Sequence, residues 1–291
     1  MRRLRTGCKV RPFPYDEPII RDMAILIPFF NLTKSVRLIQ NLLTVKYMLE
    51  RANLPFYIGE LAFNDAPFLL SPAENVHQFR STSYMFYKEN IITVLEKRVP
   101  ASFTKLCILD ADVWFGDPAW YSALSTSLNH VQTCQPFQEA VWLDIDYTEM
   151  QRQPCLLKGG HPGFAWGIQR SVASLPEWAI AGQGDAVLAA AITNKELPSF
   201  LDYLKPVIRC EHLSSTHLDG TLYHMYHGPL EKRQYKSRHV AFAELLQRLG
   251  ITIEEAVQRR VDGIFEWAPP YMDECNALMA LYFYAREDDS V

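Results

Sequence analysis

No stretch of this chain stays apolar long enough to cross a bilayer, and its first residues lack the apolar core of a secretion signal. Its six cysteines, at 8, 107, 134, 155, 210 and 275, show no paired spacing, which argues against a zinc ribbon or a disulfide framework. They read as free thiols in a reducing, cytoplasmic compartment. Charge of one sign is also scarce: a net charge of −4 excludes a wholesale nucleic-acid binder. Internal repeats and low-complexity tracts are missing, so solenoids and linker-rich architectures are not expected. What the chain has is apolar mass. With 48% hydrophobic and 12% aromatic residues it can bury a substantial core, and 291 residues suit one large domain or one domain with an appendage. The basic start (Arg2, Arg3, Arg5, Lys9, Arg11) predicts a flexible tail over residues 1–20.

The stretch Leu106-Cys107-Ile108-Leu109-Asp110-Ala111-Asp112-Val113-Trp114-Phe115 organises the rest. A short unbroken apolar run reads as a strand buried on both faces of a parallel sheet. Asp110 and Asp112 then fall at its carboxyl end, where open α/β sheets place their ligands. Two carboxylates this close repel each other unless a cation relieves them. Hard oxygen ligands suit Mg²⁺ or Mn²⁺, and such an ion holds a pyrophosphate well. An isolated Asp-x-Asp is otherwise a turn residue beside a helix cap; the apolar flanks argue against that here.

Upstream, residues 23–28 predict a buried strand broken by Pro28. Residues 33–52 predict an amphipathic helix capped by Asn31 or Thr33, and 56–61 a second strand ending near Glu60. Loop chemistry fills 67–78, and a second helix runs over 84–98 before Pro100. This strand–helix order predicts an α/β fold with a mostly parallel sheet and right-handed crossovers. Downstream, a helix is expected over 118–129, a strand over 141–145, a glycine-rich loop over 155–168 and an alanine-rich helix over 184–196. Residues 199–218 read as irregular and 221–226 as a strand. From about residue 239 a helical C-terminal extension is expected to pack on the domain spanning 21–238.

Further constellations accompany the aspartates. His224 and His227 lie three apart on a segment read as extended, where they point to opposite faces, so one can ligate an ion while the other packs. Gly228 and the basic residues Lys232, Arg233, Lys236 and Arg238 follow; glycine lets a backbone approach phosphate, and cations neutralise it. Lys236 and Arg238 fit a solvated basic face equally well. The run Gly159-Gly160-His161-Pro162-Gly163-Phe164-Ala165-Trp166 suits either a close-approach loop, with a flat surface on which sugar rings stack, or a tight turn with Trp166 in the core. Asp185, opening the alanine-rich helix, is either a cap or a general base for a hydroxyl. Arg80 and Lys88 complete the set, Lys88 being either a solvated helix residue or a phosphate contact.

Taken in order, these residues resemble the GT-A glycosyltransferases, above all the β-1,4-galactosyltransferase and polypeptide N-acetylgalactosaminyltransferase families. Ile27-Pro28-Phe29-Phe30-Asn31 matches their first strand, Glu60 their following glutamate, and Phe86-Tyr87-Lys88 their helix start, with lysine in place of arginine. Asp110-Ala111-Asp112 matches their Asp-x-Asp, residues 159–167 their glycine-rich loop, and Gly182-Gln183-Gly184-Asp185 their acceptor motif without its glutamate. His227 best matches their late metal-binding histidine, with His224 second. The resemblance covers about residues 23–238. It implies a Rossmann-like GT-A fold and a glycosyltransferase that moves a sugar from a nucleotide-sugar donor, a UDP-sugar, to a hydroxyl on a glycan or other acceptor. It implies Mn²⁺ or Mg²⁺ held by Asp112 and His227, with Asp110 and His224 as further candidates. Pro28, Phe29, Asn31 and Glu60 would line the nucleotide pocket, with Arg80, Lys88, Lys232 and Arg233 near the phosphates. Gly160, His161, Gly163 and Trp166 would face the sugar and acceptor, and Asp185 would deprotonate the acceptor with inversion. Animal members carry an anchor and disulfides that this chain lacks, which suggests a microbial or viral relative in the cytoplasm. Two other classes remain in view. A sugar nucleotidyltransferase shares the aspartates but carries a glycine-rich loop after its first strand, where this chain has Phe29-Phe30-Asn31-Leu32-Thr33. A non-catalytic glycan- or nucleotide-binding protein has no need of the metal site.

Overall fold

Strand β1 (Met23–Phe30) shows why its sequence is apolar without a break. Ala24 and Leu26 belong to one hydrophobic cluster and Met23, Ile25, Ile27 and Phe29 to another, one on each face of the sheet. The computed structural model describes residues 21–172, 176–208 and 211–290. The basic segment 1–20, expected to be a flexible tail, lies outside the described residues.

After β1 come α1 (Val36–Arg51), β2 (Phe56–Phe63), β3 (Val76–Ser81), α2 (Lys88–Arg98) and β4 (Lys105–Leu109). They are followed by β5 (Val113–Phe115), α3 (Trp120–Ser127), β6 (Thr133–Gln135), β7 (Glu139–Leu143), β8 (Glu149–Pro154) and β9 (Ala165–Gln169). Then come α4 (Gly184–Thr193), β10 (Ser215–His217) and β11 (Thr221–His224). The C-terminal part holds α5 (Ser237–Leu249), α6 (Ile253–Ala256), β12 (Val257–Arg259), β13 (Phe265–Trp267) and α7 (Met272–Ala285).

The main sheet has seven strands in the order β10-β6-β9-β4-β1-β2-β3. Its β1, β2 and β4 run parallel, as expected, and β3 joins them in parallel, whereas β9 is antiparallel to both β4 and β6. A second sheet, β5-β11-β7-β8, stands beside the carboxyl end of β4. The result is a mixed α/β fold with helices on both faces of a mainly parallel sheet.

Several boundaries differ from expectation for identifiable reasons. α1 starts at Val36, because Ser35 caps it: the Ser35 hydroxyl accepts from Leu38 N at 3.1 Å. Asn31 instead braces the turn, accepting from Ser35 N at 2.9 Å and donating to Ser35 O at 2.8 Å. α2 starts only at Lys88, since the backbone before it is committed to long-range bonds, Tyr84 N to Asn276 and Phe86 N to Ile180 O. β3 begins inside the stretch read as loop. β9 lies hidden in glycine-rich sequence, and its Gly167 is packed against Leu124 of α3. The extension beyond residue 239 is not purely helical, because β12 and β13 form an antiparallel hairpin. Its Phe242, Trp267, Met279 and Phe283 lie in the same apolar cluster as Leu26 and Ile91. Asp289, past α7, reaches back to α1 and accepts from Val36 N and Arg37 N at 3.0 and 2.9 Å, where a carboxylate suits the helix dipole. Among the described residues no helix is long and apolar enough to cross a membrane. Cys107, Cys134, Cys155 and Cys275 are free and buried.

Candidate metal centre and active site

The carboxyl end of β4 opens into a cavity of about 190 Å³ between the two sheets and the C-terminal helices. The chain turns at Asp110 and Asp112 and re-enters an antiparallel pairing in which β5 meets β11, with Val113 opposite His224. Met225 N then donates to Asp112 O at 2.7 Å, tying the histidine segment over the aspartate. β11 ends at His224, so the alternation of an extended strand no longer governs His227. Gly228, at φ +90°, turns the chain back against the backbone of Glu287 and Asp288, where a side chain would collide. Both histidines therefore face Asp112, contrary to the expectation of opposite faces.

His227 Nε2 lies 2.9 Å and His224 Nε2 3.7 Å from Asp112 Oδ2, and the two Nε2 atoms are 3.1 Å apart. One ligand atom from each of Asp112, His224 and His227 falls within 4.8 Å of the others. Asp112 Oδ1 is buried without a hydrogen-bond partner, a costly arrangement that a cation would relieve. Burial opposes ionisation of Asp112, yet His224, His227 and Arg233 hold its carboxyl well below the ordinary range. Burial pushes His224 down to about 3, against the pull of Asp112, which favours the neutral imidazole. The donor set fits a divalent ion, and its mixture of imidazole and carboxylate suits Mn²⁺ better than Mg²⁺. Arg233 Nη2 donates to His227 Nδ1 at 2.8 Å, so the ring hydrogen here sits on Nε2. Ligation through Nε2 requires the ring hydrogen on Nδ1, so the Arg233 donor would have to turn away, with Asp288 Oδ1 3.6 Å from Nδ1 as a carboxylate beside it.

Asp110 is not part of this group. Its Oδ1 lies 2.5 Å from Lys88 Nζ, on the side where α2 begins. Burial pushes Asp110 up to about 6, with Asp112 adding to the effect and Lys88 opposing it. Burial also works against the Lys88 ammonium, but Asp110, Glu89 and Asp185 around it outweigh that and raise its pKa. Glu89, buried against Gly184, is pushed up to about 8, and its Oε2 has no partner. Asp185, in the first turn of α4, lines the cavity beside Gly163 and His161. His161 stacks on Phe164 with centroids 4.2 Å apart, and Trp142 meets both rings edge-on. Burial pushes His161 down to about 4, although Asp185 pulls the other way.

Of the residues singled out in the sequence, Pro28, Phe29, Lys88, Asp110, Asp112, His161, Asp185, His224, His227 and Arg233 line this one cavity. The others are employed elsewhere. Glu60 is buried and accepts from Leu69 N at 2.5 Å and Leu70 N at 3.1 Å, holding the loop before β3. Arg80 donates to Asn64 O and Ala66 O in that same loop and lies over Phe68. Lys232 is paired at the surface with Glu287 at 2.8 Å. Gly160 lies against the Pro154 carbonyl. Trp166 is a core residue, 3% exposed, with its indole N–H on Pro162 O at 2.6 Å, because β9 is an interior strand. The aromatic lining of the cavity includes His161, Phe164 and Trp142, not Trp166.

The sequence did not single out Glu89, Tyr235, Tyr282 and Arg286, and left Arg238 open as a solvated residue; all five line the cavity. Arg238 followed a recognisable basic run. Arg286 and Tyr282 had no local signal at all.

No family model matches this chain, and no curated protein does. Among solved structures it is similar to Drosophila β1,4-galactosyltransferase 7, at 13% identity over 52% of this chain and 50% of that one, with a TM-score of 0.31. The match spans about half the length of that structure. It is similar to glucosyl-3-phosphoglycerate synthase from Mycobacterium tuberculosis, at 12% identity over 82% of each chain, TM-score 0.34. It is similar also to 4-diphosphocytidyl-2C-methyl-D-erythritol synthase from Anaerococcus prevotii, at 7% identity over 69% of this chain and 87% of that one, TM-score 0.35. Likeness at this level assigns no activity.

Proposed function

We propose that this chain is a metal-dependent glycosyltransferase of the GT-A type, taking a nucleotide-sugar donor, a UDP-sugar, and transferring its sugar to a hydroxyl acceptor with inversion. The observation that carries this reading is the Asp112–His224–His227 cluster, with its unpartnered Asp112 Oδ1, in one cavity with Asp185. Asp112, His224 and His227 would hold Mn²⁺, which when bound supplies positive charge to the leaving diphosphate. Pro28, Phe29 and Phe30, at the end of β1, form the apolar wall for the nucleoside. Asp110 stays committed to Lys88, so that Lys88 reaches the cavity as a fixed cation between Asp110 and Asp185. His161, Phe164 and Trp142 present aromatic faces and edges to sugar C–H groups.

Asp185 takes the proton of the acceptor hydroxyl as the new bond from that oxygen to the anomeric carbon forms and the bond to the diphosphate oxygen breaks. Lys88 orients the carboxylate through charge. The turn after β1, from Asn31 to Ser35, has no glycine to cradle phosphates, which disfavours a nucleotidyltransferase. The buried free thiols fit a cytoplasmic setting.

The test is a thermal-shift panel of nucleoside diphosphates with and without Mn²⁺, since a ligand of the native state raises its stability. Stabilisation by UDP that depends on Mn²⁺ is expected. GDP or dTDP in its place would change the donor, and no response to any diphosphate would overturn the reading.

A further inference from the structure

Three guanidinium groups converge on one wall of the cavity, two of them around a single carboxylate. Arg233 Nη1 and Arg286 Nη2 lie 3.5 and 3.0 Å from the same Asp288 Oδ1. Arg238 has no carboxylate within ion-pairing distance among the described residues. It bonds instead to the Tyr282 hydroxyl, to Arg233 O at 3.3 Å and to His239 Nε2 at 3.3 Å, and it lies among the rings of Phe86, Tyr235 and Tyr282. The three arginines are 6 to 8% exposed, and the Nε atoms of Arg233 and Arg286 are buried without partners. Arg286 and Arg233 share Asp288, and Arg233 also acts on Asp112, so the guanidinium left without a carboxylate is that of Arg238, buried and lining the cavity. Burying unpaired charge is costly, and Arg is the side chain whose forked donors match a phosphate.

The position of Arg238 is built in. Its guanidinium lies so close to Gly182 that a side chain there would collide, and Gly182 sits at φ +92°. Gln183, next in sequence, donates to Tyr235 O at 3.1 Å and opens the helix that carries Asp185. The arginines thus share a wall with the proposed base, while the Asp112 cluster occupies the other side of His227.

We propose that Arg238 and Arg286, backed by Arg233, form a receptor for a phosphomonoester carried by the acceptor, so that the hydroxyl presented to Asp185 belongs to a phosphorylated molecule. This rests on the transferase reading for the acceptor role, while the anion site stands on the arginines alone. The same chemistry could come from the donor's diphosphate, and the two sources are separable.

The experiment is isothermal titration of the full chain with methyl phosphate, alone and after saturation with UDP and Mn²⁺. Methyl phosphate is expected to bind in both conditions, within about threefold, and Arg238→Gln is expected to weaken it by roughly tenfold or more while UDP binding changes little. Arg286→Lys, which keeps the charge and loses the fork, is expected to weaken it less. Displacement of methyl phosphate by UDP would overturn the proposal and give the arginines to the donor. Absence of methyl phosphate binding with intact UDP binding would overturn it and leave the transferase reading untouched. Methyl phosphate binding that needs Arg238, in a protein that ignores UDP, would uphold the anion site and remove the transferase reading. The wild-type competition decides between the sources whether or not either variant folds.

Discussion

Asp110 and Asp112 are two residues apart, and their surroundings are opposite. On the Asp112 side two imidazoles and an arginine gather around one carboxylate, which stays ionised and keeps an oxygen without a partner. On the Asp110 side one lysine is shared among Asp110, Glu89 and Asp185, and the carboxyls are raised instead: Asp110 to about 6 and Glu89 to about 8. One side leaves a carboxylate oxygen without a partner. The other already contains its cation. The comparison teaches that the motif is not one symmetric pair: an ionised carboxylate with an unpartnered oxygen and a lysine-paired carboxyl stand a single alanine apart.

The largest effect that would break this comparison is on the histidine side. Asp112→Ala is expected to lower metal affinity by at least about 100-fold and to abolish Mn²⁺-dependent stabilisation by UDP, whereas Asp110→Asn retains it. A thermal-shift titration of Mn²⁺ checks both, and loss of the metal effect in Asp110→Asn would dissolve the distinction. Next is Asp185→Asn, which leaves UDP binding unchanged and slows transfer by about 10²- to 10⁴-fold, as removal of a general base does. Normal turnover in a coupled diphosphate-release assay would remove Asp185 from that role.

Lys88→Met sharpens the lysine side. It leaves Asp110 buried without its cation and is expected to cost about 3 kcal/mol in denaturant unfolding; pairing it with Asp110→Asn should restore most of the loss. A double variant no more stable than Lys88→Met would mean that the pair is not what the lysine supports.

The smallest effect is a pH slope. The Glu89 carboxyl is higher in the folded chain than its ordinary value of 4.5, so the folded state holds an extra proton between about pH 4.5 and 8. The stability it contributes is complete below 4.5 and is lost as pH rises through 8. Glu89→Gln removes that term, so its melting temperature should fall less between pH 6 and 9 than the wild type's, by roughly 3–6 °C. Parallel melting curves would place the Glu89 proton elsewhere.

Much of the frame was legible in the chain. Apolar runs at 23–28 and 106–109 fixed two interior strands because burial on both faces leaves no room for polar residues. Asp110 and Asp112 stood out since charge directly after such a run has to lie at a strand end. Legibility failed where a residue's partner is distant in sequence. Glu60 and Arg80 carried the right chemistry for a site but hold the loop over 64–70, and nothing in their neighbours distinguishes a loop brace from a ligand contact. The glycines around Trp166 fit a loop platform and a core residue alike, and only the place of β9 between β4 and β6 decides for the core.

The sequence by itself determined the α/β class, the interior strands β1 and β4, and a short set of candidates for a divalent ion, since these follow from local hydrophobic periodicity and side-chain chemistry. Tertiary structure alone decided that His224 and His227 converge, because that depends on where β11 ends and on the turn at Gly228. It alone decided that Lys88 serves Asp110, and that Arg286 and Asp288, near the end of the chain, reach a site begun at residue 28. Such contacts join segments up to about 250 residues apart, as Ser35 and Asp289 do, and no local pattern encodes them; only packing of the whole chain brings them together.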